Sequence, residues 1–502
     1  MTDTTQVPPV FDAGWVRSTP YPQVINGVES GEGETFPLIN PATGESVGSW
    51  SEATADEVDR AVAAARASFD DGRWRRMPPV RRAEILARIA DAIDARKAEL
   101  IGLDCVSTGK VFLGGIGYDG YESVNAWRGA AAHVRAEVGE VRDAYFPPGL
   151  FPGDGPHILS VRRAEAAGVV AELLPWNAPL FTGSERLAGA LAAGCSVVAK
   201  PSEESPASFV ELAKIAIECG LPEGVFNVVL GRGETVGDKL IRDPRVDLVS
   251  ITGSVETGTR VYEIAASQMK RVNLELGGKA PVVVFADADL ENVALWGMMS
   301  AFNNMGEVCV AGTRLIVESS VYDDVVAAVV GAASGLPIGD QFAPDTFIGP
   351  LINADHAARV RGFIDRAVQD GASVAGGGTV PDGLSDAFVA PTVIRDVKAG
   401  SELEQREVFG PVLAAMKFDT EEEALERANS TQYGLAASVF TGSIERAFRV
   451  ANALDAANVQ VNHHYSADSS VPRGTPRKRS GTGFTGVRAY QAPKTIDLNL
   501  GF

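Results

Sequence analysis

From Gly168 onward, short apolar runs alternate with helical segments, and this alternation restricts the possible folds more than any other feature. The runs are Val169-Val170-Ala171-Glu172-Leu173-Leu174, Ser196-Val197-Val198-Ala199-Lys200, Val225-Phe226-Asn227-Val228-Val229-Leu230 and Leu248-Val249-Ser250-Ile251. Strands joined by helices run parallel, and a parallel sheet buries both faces. The pattern therefore predicts a Rossmann-like nucleotide-binding unit. A second alternating block starts near Val282-Val283-Val284 and runs to about residue 480, predicting a separate α/β domain that carries Cys309. A chain of 502 residues needs two or three cores.

Local signals fill in the remainder. Thr54-Ala55-Asp56-Glu57 has capping-box spacing, and Val58, Val62, Ala65 and Phe69 keep one apolar stripe, so a helix is expected from about Ala55. The period predicts one more helix from Pro79 to Ile101. Residues 1–20, rich in Pro, Thr and Asp, read as a loose arm. Turn chemistry at Pro147-Pro148-Gly149 and Pro152-Gly153-Asp154-Gly155-Pro156, followed by Ile158-Leu159-Ser160-Val161-Arg162-Arg163, reads as a projecting hairpin; a plain surface loop is the other reading.

Composition excludes several roles. No run reaches the roughly 18 apolar residues of a membrane helix. The opening Met1-Thr2-Asp3-Thr4-Thr5-Gln6 lacks the parts of a signal peptide. A formal charge of −20 argues against a nucleic-acid partner. The four cysteines, Cys105, Cys195, Cys219 and Cys309, form no Cys-x-x-Cys pair. Unpaired thiols, no metal site and a cytoplasmic setting are expected. Cys195 and Cys219 read as small buried apolar residues.

Two glycine-rich turns follow predicted strands. Gly231-Arg232-Gly233-Glu234-Thr235-Val236-Gly237 is one residue longer than the usual dinucleotide fingerprint. Thr252-Gly253-Ser254-Val255-Glu256-Thr257-Gly258 can offer amides and a hydroxyl to a pyrophosphate.

Chemistry concentrates in two further runs. Cys309 lies in Phe302-Asn303-Asn304-Met305-Gly306-Glu307-Val308-Cys309-Val310-Ala311-Gly312-Thr313-Arg314. Glu275, 34 positions upstream, lies in Leu274-Glu275-Leu276-Gly277-Gly278-Lys279-Ala280-Pro281. A thiol and a carboxylate can serve as covalent nucleophile and water-activating base. Together the runs resemble the active-site signatures of the NAD(P)-dependent aldehyde dehydrogenase superfamily. The resemblance covers roughly residues 20–500 and includes Pro175-Trp176-Asn177-Ala178-Pro179-Leu180, Lys200-Pro201-Ser202-Glu203 and Glu407-Val408-Phe409-Gly410-Pro411-Val412.

The resemblance implies NAD-dependent oxidation of a small aldehyde to a carboxylic acid. Cys309 would attack the aldehyde, its own N–H and the Asn177 amide would stabilise the oxyanion, and Glu275 would activate water against the thioester. Trp176, Lys200, Glu203, Gly233, Ser254, Glu407 and Phe409 would hold NAD, with Glu203 accepting the ribose hydroxyls and repelling a 2′-phosphate. It also implies three parts: a cofactor domain (20–142 and 166–277), a catalytic domain (278–480) and a small β oligomerisation element (143–165 and 481–502). The last would pair subunits into a homodimer or homotetramer. Two rivals are a dehydrogenase that passes the acyl group to coenzyme A, disfavoured by Glu275, and a non-catalytic protein of the same fold.

Three departures from the family pattern stand out. Glu307 replaces the usual glutamine, and its charge would raise the thiol pKa. Glu185-Arg186 replaces Trp-Lys, and arginine is a poor proton relay. The late loop, Pro472-Arg473-Gly474-Thr475-Pro476-Arg477-Lys478-Arg479-Ser480-Gly481-Thr482-Gly483-Phe484, has Arg473 at an aromatic position. Glu185, Arg186, Val308, Val310, His464 and Arg473 are the expected walls of the substrate tunnel. Arg473 can bind an acidic substrate end, or be neutralised by Glu185. His463 and His464, adjacent on a strand, point apart and do not read as a metal pair.

Overall fold

The computed structural model describes residues 11–147, 149–152, 155–465, 473–483 and 486–501. The fold is α/β, built around an eight-stranded and a seven-stranded sheet. In the first, Phe226–Val228, Ser196–Lys200, Val169–Leu173, Leu248–Gly253 and Arg271–Leu276 run parallel in that spatial order. Chain order reverses between Val169–Leu173 and Leu248–Gly253. Such a switch point opens a crevice at the carboxyl ends of the strands, the usual ligand position in open α/β sheets. Trp176 and Asn177 follow one of these strands and Ser254 follows the other.

The second sheet runs Ser373–Gly377, Thr392–Arg395, Val412–Phe418, Arg314–Glu318, Pro281–Val284, Ala436–Phe440 and Asn458–Val461, all parallel except the first. Its central strands are buried on both faces: Val282, Val283, Leu315, Ile316, Leu413 and Ala415 are 1% exposed or less. The chain crosses from first sheet to second through Gly277 and Gly278.

A three-stranded antiparallel sheet pairs Ile158–Ala166 with Glu140–Ala144 on one side and with Gln491–Asn499 on the other. The expected hairpin is therefore present; its first strand starts three residues before the expected boundary of 143. Residues 481–490 do not join it, contrary to the expected division. Gly481–Thr482 instead closes the edge of the eight-stranded sheet against Leu274 and Glu275. Tyr490 is buried beneath that sheet, with its hydroxyl 2.9 Å from Glu172 Oε2.

Other expectations are refined by packing. Helix Ala55–Asp71 carries the capping box, with Thr54 and Glu57 bonded reciprocally. The expected helix over 79–101 is two helices, Pro79–Ala95 and Lys97–Thr108. Arg96 leaves helical geometry at φ −107° and ψ 15°, and its guanidinium binds Glu99 and Glu211. Both helices bury their stripe in one core (Ile85, Ile89, Ile93, Leu100), so the apolar period continues through the break. Residues 1–10 of the expected loose arm lie outside the described residues. The next ones are packed: Phe11 stacks on Phe342, and Trp15 contacts Phe112. No helix among the described residues is long and apolar enough to cross a membrane.

Candidate active site

The crossing at Gly277-Gly278 brings the expected site residues together. A Cβ on Gly278 would lie 2.2 Å from the carbonyl oxygen of Cys309, and one on Gly277 would lie 2.1 Å from Glu407 Oε2. Gly278 thus needs to be glycine for this backbone to approach, and a side chain at Gly277 would displace the Glu407 carboxylate. The Gly278 N–H donates to Glu407 Oε1 at 2.9 Å. Glu275 sits three residues before Gly278, next to the end of Arg271–Leu276.

The thiol loop is fixed by unusual backbone. Asn304 and Met305 have φ of 48° and 53°, followed by Gly306 at 71°. Asn304 Nδ2 donates to the Asn177 carbonyl at 3.1 Å, holding the loop against the Asn177 turn. Asn177 Nδ2 donates to the Glu307 carbonyl at 2.8 Å, which fixes the amide beside the thiol loop. Val308 and Val310 flank Cys309 and are half-buried.

Burial dominates the electrostatics. It pushes the Cys309 thiol up to about 12, with Glu407 and Glu275 adding to the rise and Arg473 opposing it. Burial also raises Glu275, against the charges of Arg186 and Arg473. It raises Glu407 to about 7. The Glu307 carboxyl, expected to act on the thiol by its charge, is buried and bonded to other groups. Its Oε1 accepts from the Ile352 N–H at 3.1 Å and lies 3.7 Å from His356 Nε2. Burial raises its carboxyl well above the ordinary range, opposed by the Ile352 N–H.

The expected cofactor residues sit on several separate elements. Ser254 caps helix Val255–Ala266, accepting from the Thr257 N–H at 3.1 Å. Gly233 opens the turn Gly233–Gly237, and space is free where its Cβ would be. Lys200 Nζ is buried, donating to the Pro201 carbonyl at 2.8 Å and lying 3.4 Å from Glu203 Oε2. Trp176 meets the Phe409 ring edge-on at 5.5 Å. Phe409 has φ 56°, and its carbonyl contacts His356 Nε2 at 2.6 Å.

The expected tunnel residues divide. Arg473 Nη2 lies 3.1 Å from Glu185 Oε1, and its guanidinium lies 5.8 Å from the Phe181 ring centre. The ion pair that the neutralised alternative requires is present. Pro472 and Phe484 of the same loop lie outside the described residues. Arg186 is buried, with Nη2 3.7 Å from Glu275 Oε1 and 3.4 Å from Thr252 Oγ1. It stands behind the carboxylate instead of facing open space. His464 is likewise buried, bonded to Ser438 Oγ and to the Val310 carbonyl, so it supports the thiol loop from behind. No cluster of three or more possible metal ligands occurs among the described residues.

The sequence matches the profile of the Aldehyde dehydrogenase family over residues 28–496. The chain belongs to this family. Among its relatives, a betaine aldehyde dehydrogenase of Mesorhizobium japonicum is 38% identical over 486 residues, covering 95% of this chain and 97% of the relative. A phenylacetaldehyde dehydrogenase of Pseudomonas fluorescens is 37% identical over 458 residues, covering 91% and 90%. The crystal structure of an NAD-dependent aldehyde dehydrogenase from Sinorhizobium meliloti superposes with a TM-score of 0.92 at 35% identity, covering 99% of this chain and 98% of that one.

Sequence reasoning about the aldehyde dehydrogenase motifs missed several neighbours of the site. Glu52 accepts from the Arg232 N–H, the Arg232 guanidinium and Thr235 Oγ, shaping the first glycine turn. The Arg232 guanidinium lowers its carboxyl to about 2. Nothing local to Glu52 signals this. Glu172 did carry a signal, as a charge inside an otherwise apolar strand.

Glu307 gives a stability prediction. Its carboxyl is harder to ionise in the folded than in the unfolded chain. The folded state therefore loses stability as pH rises from the ordinary carboxylate range toward the raised value. Glu307→Gln keeps an acceptor for Ile352 and removes that loss. Thermal unfolding should give Glu307→Gln a Tm advantage over wild type that is larger near pH 8 than near about pH 5. An advantage independent of pH would mean Glu307 does not titrate differently on folding.

Proposed function

We propose that this enzyme oxidises an aldehyde to a carboxylic acid through a covalent Cys309 intermediate and a Glu275-activated water. The observation that supports the reading is the approach of the Cys309 backbone and the Glu407 carboxylate to Gly277-Gly278, just past Glu275, with both carboxyl groups acting on the thiol.

Cys309 gives its thiol proton to water, and the thiolate Sγ bonds to the aldehyde carbon. The carbonyl π pair moves to oxygen, where the second Asn177 amide hydrogen and the Cys309 N–H stabilise it. One such donor is typically worth about 3 kcal/mol. Bound NAD supplies the hydride acceptor that turns the adduct into a thioester. Glu275, raised by burial, then takes a proton from water as the water oxygen attacks the thioester carbon and Sγ leaves. Activity should accordingly fall as pH drops through the raised Glu275 value. The charge of Arg186 beside Glu275 limits the rise.

The residues present fit the cofactor. Solved neighbours include an indole-3-acetaldehyde dehydrogenase of P. syringae in complex with NAD+, at 35% identity and a TM-score of 0.92. In this chain the buried Lys200 and the partly exposed Glu203 would hold the adenosine ribose, with Ser254 and Gly233 beside the phosphates. Glu407, Phe409 and Trp176 would hold the nicotinamide side.

Three outcomes are expected. Cys309→Ala should abolish turnover and keep NAD binding, whereas Glu275→Gln should give an NADH burst of about one equivalent per site and then slow turnover. Equal loss of burst and steady state in Glu275→Gln would assign Glu275 another role, and acyl-coenzyme A formed on adding coenzyme A would favour the acylating alternative. NAD should be preferred over NADP, and Glu203→Gln should narrow the ratio of kcat/KM about tenfold or more; equal wild-type efficiency with both contradicts the role of Glu203.

The third outcome concerns assembly. Gln491–Asn499 and Glu140–Ala144 form the outer strands of the small sheet, and Val138, Val141, Leu498 and Leu500 are exposed along it. Exposed edges of this kind favour strand addition between copies. Light scattering should give a dimer or tetramer that is weakened by deleting 494–502; a monomer at micromolar concentration would sink this reading.

A further inference from the structure

Behind Glu275 lies a second buried carboxylate that the mechanism above does not use. In the eight-stranded sheet, Glu172 stands directly opposite Ser250, and Ser250 opposite Asn273. Two residues further along, Thr252 stands opposite Glu275. Residues two apart on a strand share a face. Glu172, Ser250, Thr252 and Glu275 therefore lie on one face, in two adjacent rows. Helix Pro179–Ala193 brings Arg186 onto that face, bonded to Thr252 and 3.7 Å from Glu275.

Glu172 is 0% exposed. Its Oε2 accepts from the Tyr490 hydroxyl at 2.9 Å, and Ser250 Oγ lies 3.4 Å from the same hydroxyl. Its Oε1 is buried without a hydrogen bond. A carboxylate in this setting is expensive to keep unless it serves a cation. The cation is Arg186. Burial opposes the Arg186 charge, and Glu275, the Tyr490 phenol, Glu172 and Glu185, in that order, outweigh it. One guanidinium thus answers two buried carboxylates.

We propose that Glu172 is a positioning residue for the water-activating step: held by Tyr490, it shares the Arg186 guanidinium with Glu275, and so sets how much of that positive charge the base feels. The proposal rests on the reading of Glu275 as the base. Arg186 does not relay a proton, because guanidinium keeps its charge at any working pH. Its effect is electrostatic, and Glu172 is its counterweight. Burial raises Glu172 to about 6, with Arg186 opposing, so the division of charge changes within the working pH range.

The other charges facing Glu275 are Arg473 and Glu185, and Cys309 feels its charge in turn. Around Glu172 the facing groups are Arg186, Ser250 and Tyr490. The two sides of the arrangement therefore predict opposite signs. Removing Glu172 leaves Glu275, of these two buried carboxylates, as the one that draws on Arg186, which favours its ionised form. Removing the Arg186 charge disfavours it.

The test is the pH dependence of acyl-enzyme decay after single-turnover loading with aldehyde and NAD, normalised to the NADH burst so that only folded, acylated sites count. Glu172→Gln should move the acid limb to lower pH by a few tenths of a unit, and Arg186→Met should move it up by roughly one unit. Arg186→Lys should restore most of the wild-type profile. A limb that stays fixed in Glu172→Gln, or that moves the same way in Glu172→Gln and Arg186→Met, overturns the proposal. If Arg186→Met gives no burst, Glu172→Gln and Arg186→Lys decide alone. Glu275→Gln is the control. If it decays at the wild-type rate, the base reading fails and this proposal with it. If it loses decay while the other profiles stay fixed, only this proposal fails.

Discussion

The close packing at Gly277-Gly278 is the constraint on which the rest of the site depends. The strand that carries Glu275 leaves the first sheet there, and within a few residues the chain enters the second. Two absent Cβ atoms let the Cys309 carbonyl and the Glu407 carboxylate press against this backbone. Ser480 locks the crossing from the other side. Its hydroxyl donates to the Gly277 carbonyl and accepts from the Gly434 N–H, and its carbonyl accepts from the Leu276 N–H. The spacing between thiol loop and base strand is thus set by backbone contacts, which vary far less than side-chain rotamers.

Enclosure has an electrostatic consequence. Desolvation raises Cys309, Glu275, Glu407 and Glu307, and lowers Lys279 to about 7 and His464 to about 4. Enclosure thus works against charge on each of these groups. A thiol at about 12 is a poor nucleophile until a positive charge is near it. Groups poised in their neutral forms avoid the cost of burying ions and gain strong interactions when charge develops.

The fold class and the site motifs were legible because they depend on local pattern. Alternating strands and helices predict parallel sheets, and the capping box at Thr54 fixes a helix start. What escaped the sequence depends on pairs distant along the chain. The break at Arg96 is set by Glu211, 115 residues away. Gly481–Thr482 was grouped with the tail, yet its partners are Leu274 and Glu275 on an edge left open by the first sheet. His464 read as a pocket or surface residue because its environment, Ser438 and the Val310 carbonyl, comes from two other segments. Glu307 read as a charge beside the thiol because proximity along the chain says nothing about which way a side chain turns.

The departures at Glu185 and Arg186 are consecutive on one helix, and helical geometry gives them different tasks. Successive residues are about 100° apart around an α-helix. Glu185 faces Arg473, while Arg186 faces Glu275. Phe181 lies one turn before Glu185 on the same side. Arg473 is held by both, over the ring of one and against the carboxylate of the other. Tyr118 meets the Phe181 ring edge-on at 5.6 Å, extending the aromatic surface. Where the family usually places an aromatic residue, this chain places a cation that is already paired and stacked. The pair keeps a polar surface beside the thiol while cancelling most of its net charge. Arg473 also acts on Cys309 and Glu275. Loss of the Glu185 partner would therefore strengthen the positive field of Arg473 at both groups.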